Sequence, residues 1–88
     1  MVKAWVLNNS NGVCEGCKSP APFEAIDGFP YLEVHHIRPL AEGGSDTIFN
    51  TAALCPNCHR RCHVSSDRQE FSDSWCGKII RPSAGAAT

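Results

Sequence analysis

Six cysteines and four histidines stand in a chain of 88 residues, and most come in pairs whose spacing suits metal chemistry. Cys14-Glu-Gly-Cys17 and Cys55-Pro-Asn-Cys58 each place two residues between thiols. That spacing lets both sulfurs turn toward one ion at ~2.3 Å, and four such ligands close the tetrahedral shell of a structural zinc site. A site of this kind can supply ~10–16 kcal/mol in small peptides. The same four residues could instead form two disulfides or remain buried thiols. The 37 residues between Cys17 and Cys55 require a subdomain inside the loop that the zinc would close. Cys62 and Cys76 are left over and receive no function.

The histidines fall in two short segments. His35 and His36 end an apolar run, Tyr31 to Ile37. His59 and His63 lie four apart, which puts them on one face if the segment is helical. Imidazole is a metal ligand when neutral and a general base near neutral pH when free, so the set suffices for both. On a strand, adjacent side chains point to opposite faces. A bulge or strand end must therefore bring His35 and His36 to one site, or the two do different jobs.

Several elements must position these groups. Val2 to Asn9 has the apolar spacing of a short amphipathic helix, and the breakers Asn8 to Gly12 end it. Pro20 to Pro30 reads as a loop with a brief strand around Phe23 to Ile26. Tyr31 to Ile37 predicts a strand ended by Pro39, and Thr51 to Leu54 a second. Pro56 suits the first position of a helix running to about Val64, since its missing N–H has no partner there anyway. Asp67 to Lys78, with Phe71 and Trp75 four apart, allows another short helix.

Composition narrows the classes. A chain this short is one domain at most and buries only ~60% of its unfolded surface, so its core needs a staple. No stretch approaches the ~20 apolar residues of a membrane span, which argues against a membrane partner. Met1 to Leu7 is too short for a secretory core, so the expected compartment is the reducing cytoplasm, where cysteine clusters more often hold metal than form disulfides. A net charge of −1 excludes DNA retention by bulk charge alone. DNA contact must then come from a local patch, a homodimer or additional domains.

The string Leu32-Glu-Val-His-His-Ile-Arg-Pro-Leu-Ala-Glu-Gly-Gly-Ser-Asp-Thr-Ile-Phe-Asn50, followed by Ala53-Leu-Cys-Pro-Asn-Cys-His59-Arg-Arg-Cys-His63, closely resembles the HNH endonuclease family. The resemblance covers Cys14 to His63 and implies an α+β fold, the small ββα-metal arrangement with zinc knuckles and flanking short helices. It implies a nuclease domain with a core at 14–64, within an expected domain of 1–80; the small, flexible composition of 81–88 predicts a frayed tail. By family pattern His35 and His59 bind the catalytic divalent ion, and His63 joins them in some members. His36 is then the general base, and Asn50 pins the loop and orients that base. Cys14, Cys17, Cys55 and Cys58 match the separate structural zinc. The catalytic ion would be Mg²⁺, Mn²⁺, Ni²⁺ or Zn²⁺.

These expectations describe a DNA endonuclease. A histidine base activates water, typically worth ~10²–10⁴-fold, and a divalent ion offsets charge at the phosphate. Arg38, Arg60 and Arg61 flank the site as phosphate contacts, each with solvated surface as its alternative reading. The helix start at Pro56 to His59 offers N–H groups to an anion. Members of the family serve restriction, homing, phage packaging and bacteriocin killing. The competing classes are an inactive zinc-binding interaction module and a secreted disulfide mini-protein.

Overall fold

The computed structural model describes residues 2–81. The chain runs α1 (Val2–Asn9), β1 (Glu33–His36), 3₁₀ turns at Leu40–Glu42 and Ile48–Asn50, β2 (Thr51–Leu54), α2 (Pro56–Val64) and α3 (Arg68–Cys76). The two strands pair antiparallel, with Glu33 opposite Leu54 and His36 opposite Thr51. This is an α+β fold: a hairpin with a long connecting loop, followed directly by a helix that packs against both strands.

Each element follows from local chemistry. Val6 on α1 is fully buried, and Val2, Trp5 and Leu7 pack around the same core. Every residue of β2 is buried, because α1 and α2 both pack against it. The small Ala52 and Ala53 let these neighbours come close. Pro56 occupies the start of α2, and the Cys55 sulfur accepts from Cys58 N there, so a metal-spaced cysteine doubles as the helix cap.

Two sequence expectations change. The strand expected over Tyr31 to Ile37 contracts to Glu33–His36. The brief strand around Phe23 to Ile26 is only an isolated bridge between Glu24 and Pro30, closed by Ala25 N to Phe29 O and Tyr31 N to Phe23 O. Pro22 and Pro30 flank this segment and have no N–H to extend a ladder.

Arg81, placed by sequence at the start of the tail, is instead tied into the domain. Its guanidinium makes a two-pronged pair with Glu15, both contacts at 2.9 Å, and also donates to the carbonyls of Ile48 and Thr51. The two side chains are only 6% and 12% exposed. Glu15 in turn accepts from Ala53 N, so one buried pair joins the first cysteine knuckle, β2 and the chain beyond α3. Removing one partner of a buried pair strands the other charge. Arg81→Ala should cost about 3 kcal/mol, read as a lower urea midpoint with unchanged slope. Positions 82–88 of the expected tail lie outside the described residues.

Candidate active site and metal centres

Two clusters of metal-binding atoms form among the described residues, and α2 contributes to both. In the first, the sulfurs of Cys14, Cys17, Cys55 and Cys58 lie within 4.8 Å of one another. A tetrahedron of ~2.3 Å zinc–sulfur bonds has edges of roughly 3.8 Å, so the quartet fits that ion. The Cys14 sulfur accepts from Gly16 N and Cys17 N, as Cys55 does from Cys58 N. Such donors favour thiolates. Burial pushes the Cys14 and Cys58 thiols up, an opposition that a cation would relieve. Burial also works against the Cys17 thiolate, but hydrogen bonds from Ser19 outweigh it and bring that thiol down to about 7. All six cysteines are free thiols, which leaves no support for a disulfide framework.

In the second cluster, nitrogens of His35, His59 and His63 likewise lie within 4.8 Å of one another. The strand delivers His35 and one face of α2 delivers the other two, with ring centroids 4.9 to 5.2 Å apart. His35 is 6% exposed, and its buried Nδ1 has no hydrogen-bond partner among the described residues. Burial, reinforced by the neighbouring His59, His63 and His36 rings, pushes His35 down to about 4, so it is neutral at pH 7 as a ligand must be. A buried ring with an orphaned nitrogen, packed against two more imidazoles, fits a divalent transition metal.

Glu33 supports this cluster. Its carboxylate lies 2.7 Å from His59 Nδ1 and accepts at 2.7 Å from the Tyr31 hydroxyl. The His59 contact first, and the Tyr31 contact second, hold Glu33 below the usual carboxylate range. A carboxylate on Nδ1 fixes the tautomer and leaves Nε2 free for an ion. The sequence carried a signal for this residue: Glu33 and His35 are two apart on a strand and share a face. Losing such a partner typically costs about 10–100-fold in metal affinity. Glu33→Ala should weaken Mn²⁺ binding by that factor in calorimetric titration, with the cysteine-bound zinc retained.

His36 parts from His35. Its Nε2 sits 2.9 Å from Asp46 Oδ1, and the ring is about one quarter exposed. Asn50 clamps the connecting loop: its Oδ1 accepts from Arg38 N, and its Nδ2 donates to the carbonyls of Arg38 and Ser45. Gly44 is needed in that clamp, since a Cβ there would stand 1.9 Å from the Arg38 carbonyl oxygen.

The three arginines divide. Arg38 donates from Nε to Glu42 O. Arg61 pairs with Asp67 and lies 4.1 Å over the Phe71 ring. Arg60 makes no hydrogen bond or ion pair among the described residues. Sequence reasoning missed Arg68, which with Gln69 walls a cavity of about 320 Å³ beside His35 and His63. No local motif marks it, because α3 is brought to the site by tertiary packing, chiefly on α2.

The hairpin, the following helix, the histidine cluster and the cysteine quartet together define a ββα-metal domain. The family model for HNH endonucleases matches residues 14–65, and the chain belongs to that family. It is 59% identical over 71 residues to the type IV methyl-directed restriction enzyme EcoKMcrA of Escherichia coli, covering 81% of this chain and 26% of that protein. A shorter match, 52% over 29 residues, links it to anaredoxin of Nostoc sp., covering 33% of this chain and 38% of that one. Among solved structures, the type IV phosphorothioation-dependent restriction endonuclease ScoMcrA superposes with a TM-score of 0.76 at 29% identity, covering 86% of this chain and 15% of that one. The chain thus spans about a quarter or less of the two restriction enzymes it resembles. Among the described residues, no helix is long and apolar enough to cross a membrane.

Proposed function

We propose that this domain hydrolyses DNA phosphodiester bonds with His36 as general base and His35, His59 and His63 as holders of one divalent ion. The observation that carries the reading is the convergence of His35, His59 and His63 beside a separate His36 that is not part of the cluster. In this scheme His36 accepts a proton from water as the water oxygen bonds to phosphorus, and the bond from phosphorus to the 3′ oxygen breaks. A divalent ion held by the three histidines would supply positive charge against the charge developing at the phosphate. Glu33 keeps His59 in the ligating tautomer. Arg60 and Arg68 offer donors to flanking phosphates, and Asn50 keeps the loop closed over the strand end. The cysteine quartet holds structural zinc and fixes α2 relative to the first knuckle.

The two restriction relatives depend, by their names, on different DNA modifications while sharing this domain. Recognition of the modification therefore belongs to further domains or a partner, and the domain described here performs the cut. The near-neutral charge agrees, since retention on DNA would need help from elsewhere.

The test is cleavage of supercoiled plasmid by zinc-loaded protein with Mg²⁺, Mn²⁺, Ni²⁺ or Zn²⁺ added in turn. Nicking or linearisation should require added ion and vanish in His63→Ala. Folded protein that cuts under none of these ions would sink the reading in favour of a zinc-binding interaction module.

A further inference from the structure

The side chain of Asn50, which family resemblance assigns to orienting the base, makes no hydrogen bond to it among the described residues. All three hydrogen bonds of the Asn50 side chain go to backbone atoms of Arg38 and Ser45. The side chain that does meet His36 is Asp46, whose Oδ1 lies 2.9 Å from His36 Nε2. Asp46 is ten positions away and arrives across the connecting loop.

The loop is built to hold it there. Asn50 Nδ2 fixes the Ser45 carbonyl at 2.8 Å, immediately before Asp46. The Ser45 and Thr47 hydroxyls meet at 2.9 Å and bracket Asp46 from both sides. Gly44 N donates to Pro39 O at 2.9 Å, and the missing Cβ of Gly44 lets the Arg38 carbonyl pass. Thr51 Oγ1, from the first residue of β2, donates to Thr47 O at 3.0 Å and anchors the far side.

We propose that Asp46 is the positioning residue for His36, and that Asn50 acts one step further back by setting the loop that carries Asp46. This rests on the nuclease reading above for its consequence, though not for the contact itself. An ionised carboxylate only accepts, so the Asp46 contact puts the proton of neutral His36 on Nε2. The lone pair is then on Nδ1, the atom free to take a proton from water. When that proton arrives, the imidazolium keeps a charge-assisted bond to Asp46. The carboxylate touches neither water nor phosphate in this scheme, so its effect passes entirely through the His36 ring.

Four variants test it: Asp46→Ala, Asp46→Asn, His36→Ala, and Asp46→Ala combined with His36→Ala. Long-range proton–nitrogen NMR of the zinc-loaded protein without DNA reads the ring directly. The wild type should show His36 protonated on Nε2, with that nitrogen and its proton shifted in Asp46→Ala. Ring signals unchanged by Asp46→Ala would overturn the contact, whether or not the protein cuts DNA. In plasmid cleavage, Asp46→Ala should lower kcat by about 10–100-fold with KM and ion affinity unchanged. Asp46→Asn should recover part of the loss, because the amide oxygen can still accept. On the His36→Ala background, Asp46→Ala should change residual cutting by less than about twofold. Equal losses on both backgrounds, or a loss confined to KM, would place Asp46 outside the base and overturn the proposal.

Discussion

Removing zinc from the cysteine quartet should unfold the entire domain. The described core contains only nine buried apolar residues, and three of these are cysteines of the quartet, Cys14, Cys55 and Cys58. A domain of this size has a net stability of roughly 5–15 kcal/mol at best, whereas a structural zinc in a small peptide contributes ~10–16 kcal/mol. Without the ion, Cys14 and Cys58 would keep their burial cost and lose their purpose, and the first knuckle would no longer be tied to α2. Far-UV circular dichroism and the fluorescence of Trp75, which is 2% exposed, should both collapse when a strong zinc chelator is added. Cys58→Ser should behave the same way without chelator. Retention of the native spectrum after complete zinc loss, measured by elemental analysis, would show that hydrophobic packing alone suffices.

The second large effect is on chemistry with the fold intact. His36→Ala should lower the cleavage rate by ~10²–10⁴-fold, the usual contribution of a general base. His36 is half-buried and, among the described residues, its ring bonds only to the exposed Asp46, so its removal strands no buried polar group there and should move the melting temperature little. It is also absent from the histidine cluster, so affinity for the divalent ion should be unchanged. His35→Ala is the useful contrast, because it removes a buried ring from that cluster and should lose ion binding together with cutting. If His36→Ala also abolished ion binding, the division between base and ligands would be wrong.

The neighbouring strand positions explain why the two histidines of one pair meet different surroundings. The alternation of a strand sends His35 inward to meet α2 and leaves His36 toward the connecting loop. The sequence left open whether a bulge would bring both to one place. The hairpin register shows no bulge there, with His35 opposite Ala52 and His36 opposite Thr51. Small Ala52 leaves the inner face free for the ring of His35, which stands 6.3 Å from Trp75 on α3.

Much of this domain was legible in the order of its residues because the relevant physics is local. Two residues between thiols, three between helical histidines and a proline at a helix start each act within about one turn of chain. Those features located α2, both cysteine knuckles and the pairing of His59 with His63. Strand β2 was legible for the same reason, as a short apolar run between turns. The tertiary structure alone decided what the long-range partners are. Glu33 meets His59 across 26 positions, and Arg81 meets Glu15 across 66. Asp46 meets His36 only because Asn50 and Gly44 fold the loop back over the strand end. Asp46 has no assigned role in the sequence and Arg81 reads as a tail residue, since nothing within one helical turn or one strand pair marks their destination. Their roles depend on the path of the backbone between distant contacts, and that path exists only once the hairpin, the helices and the knuckles have packed together.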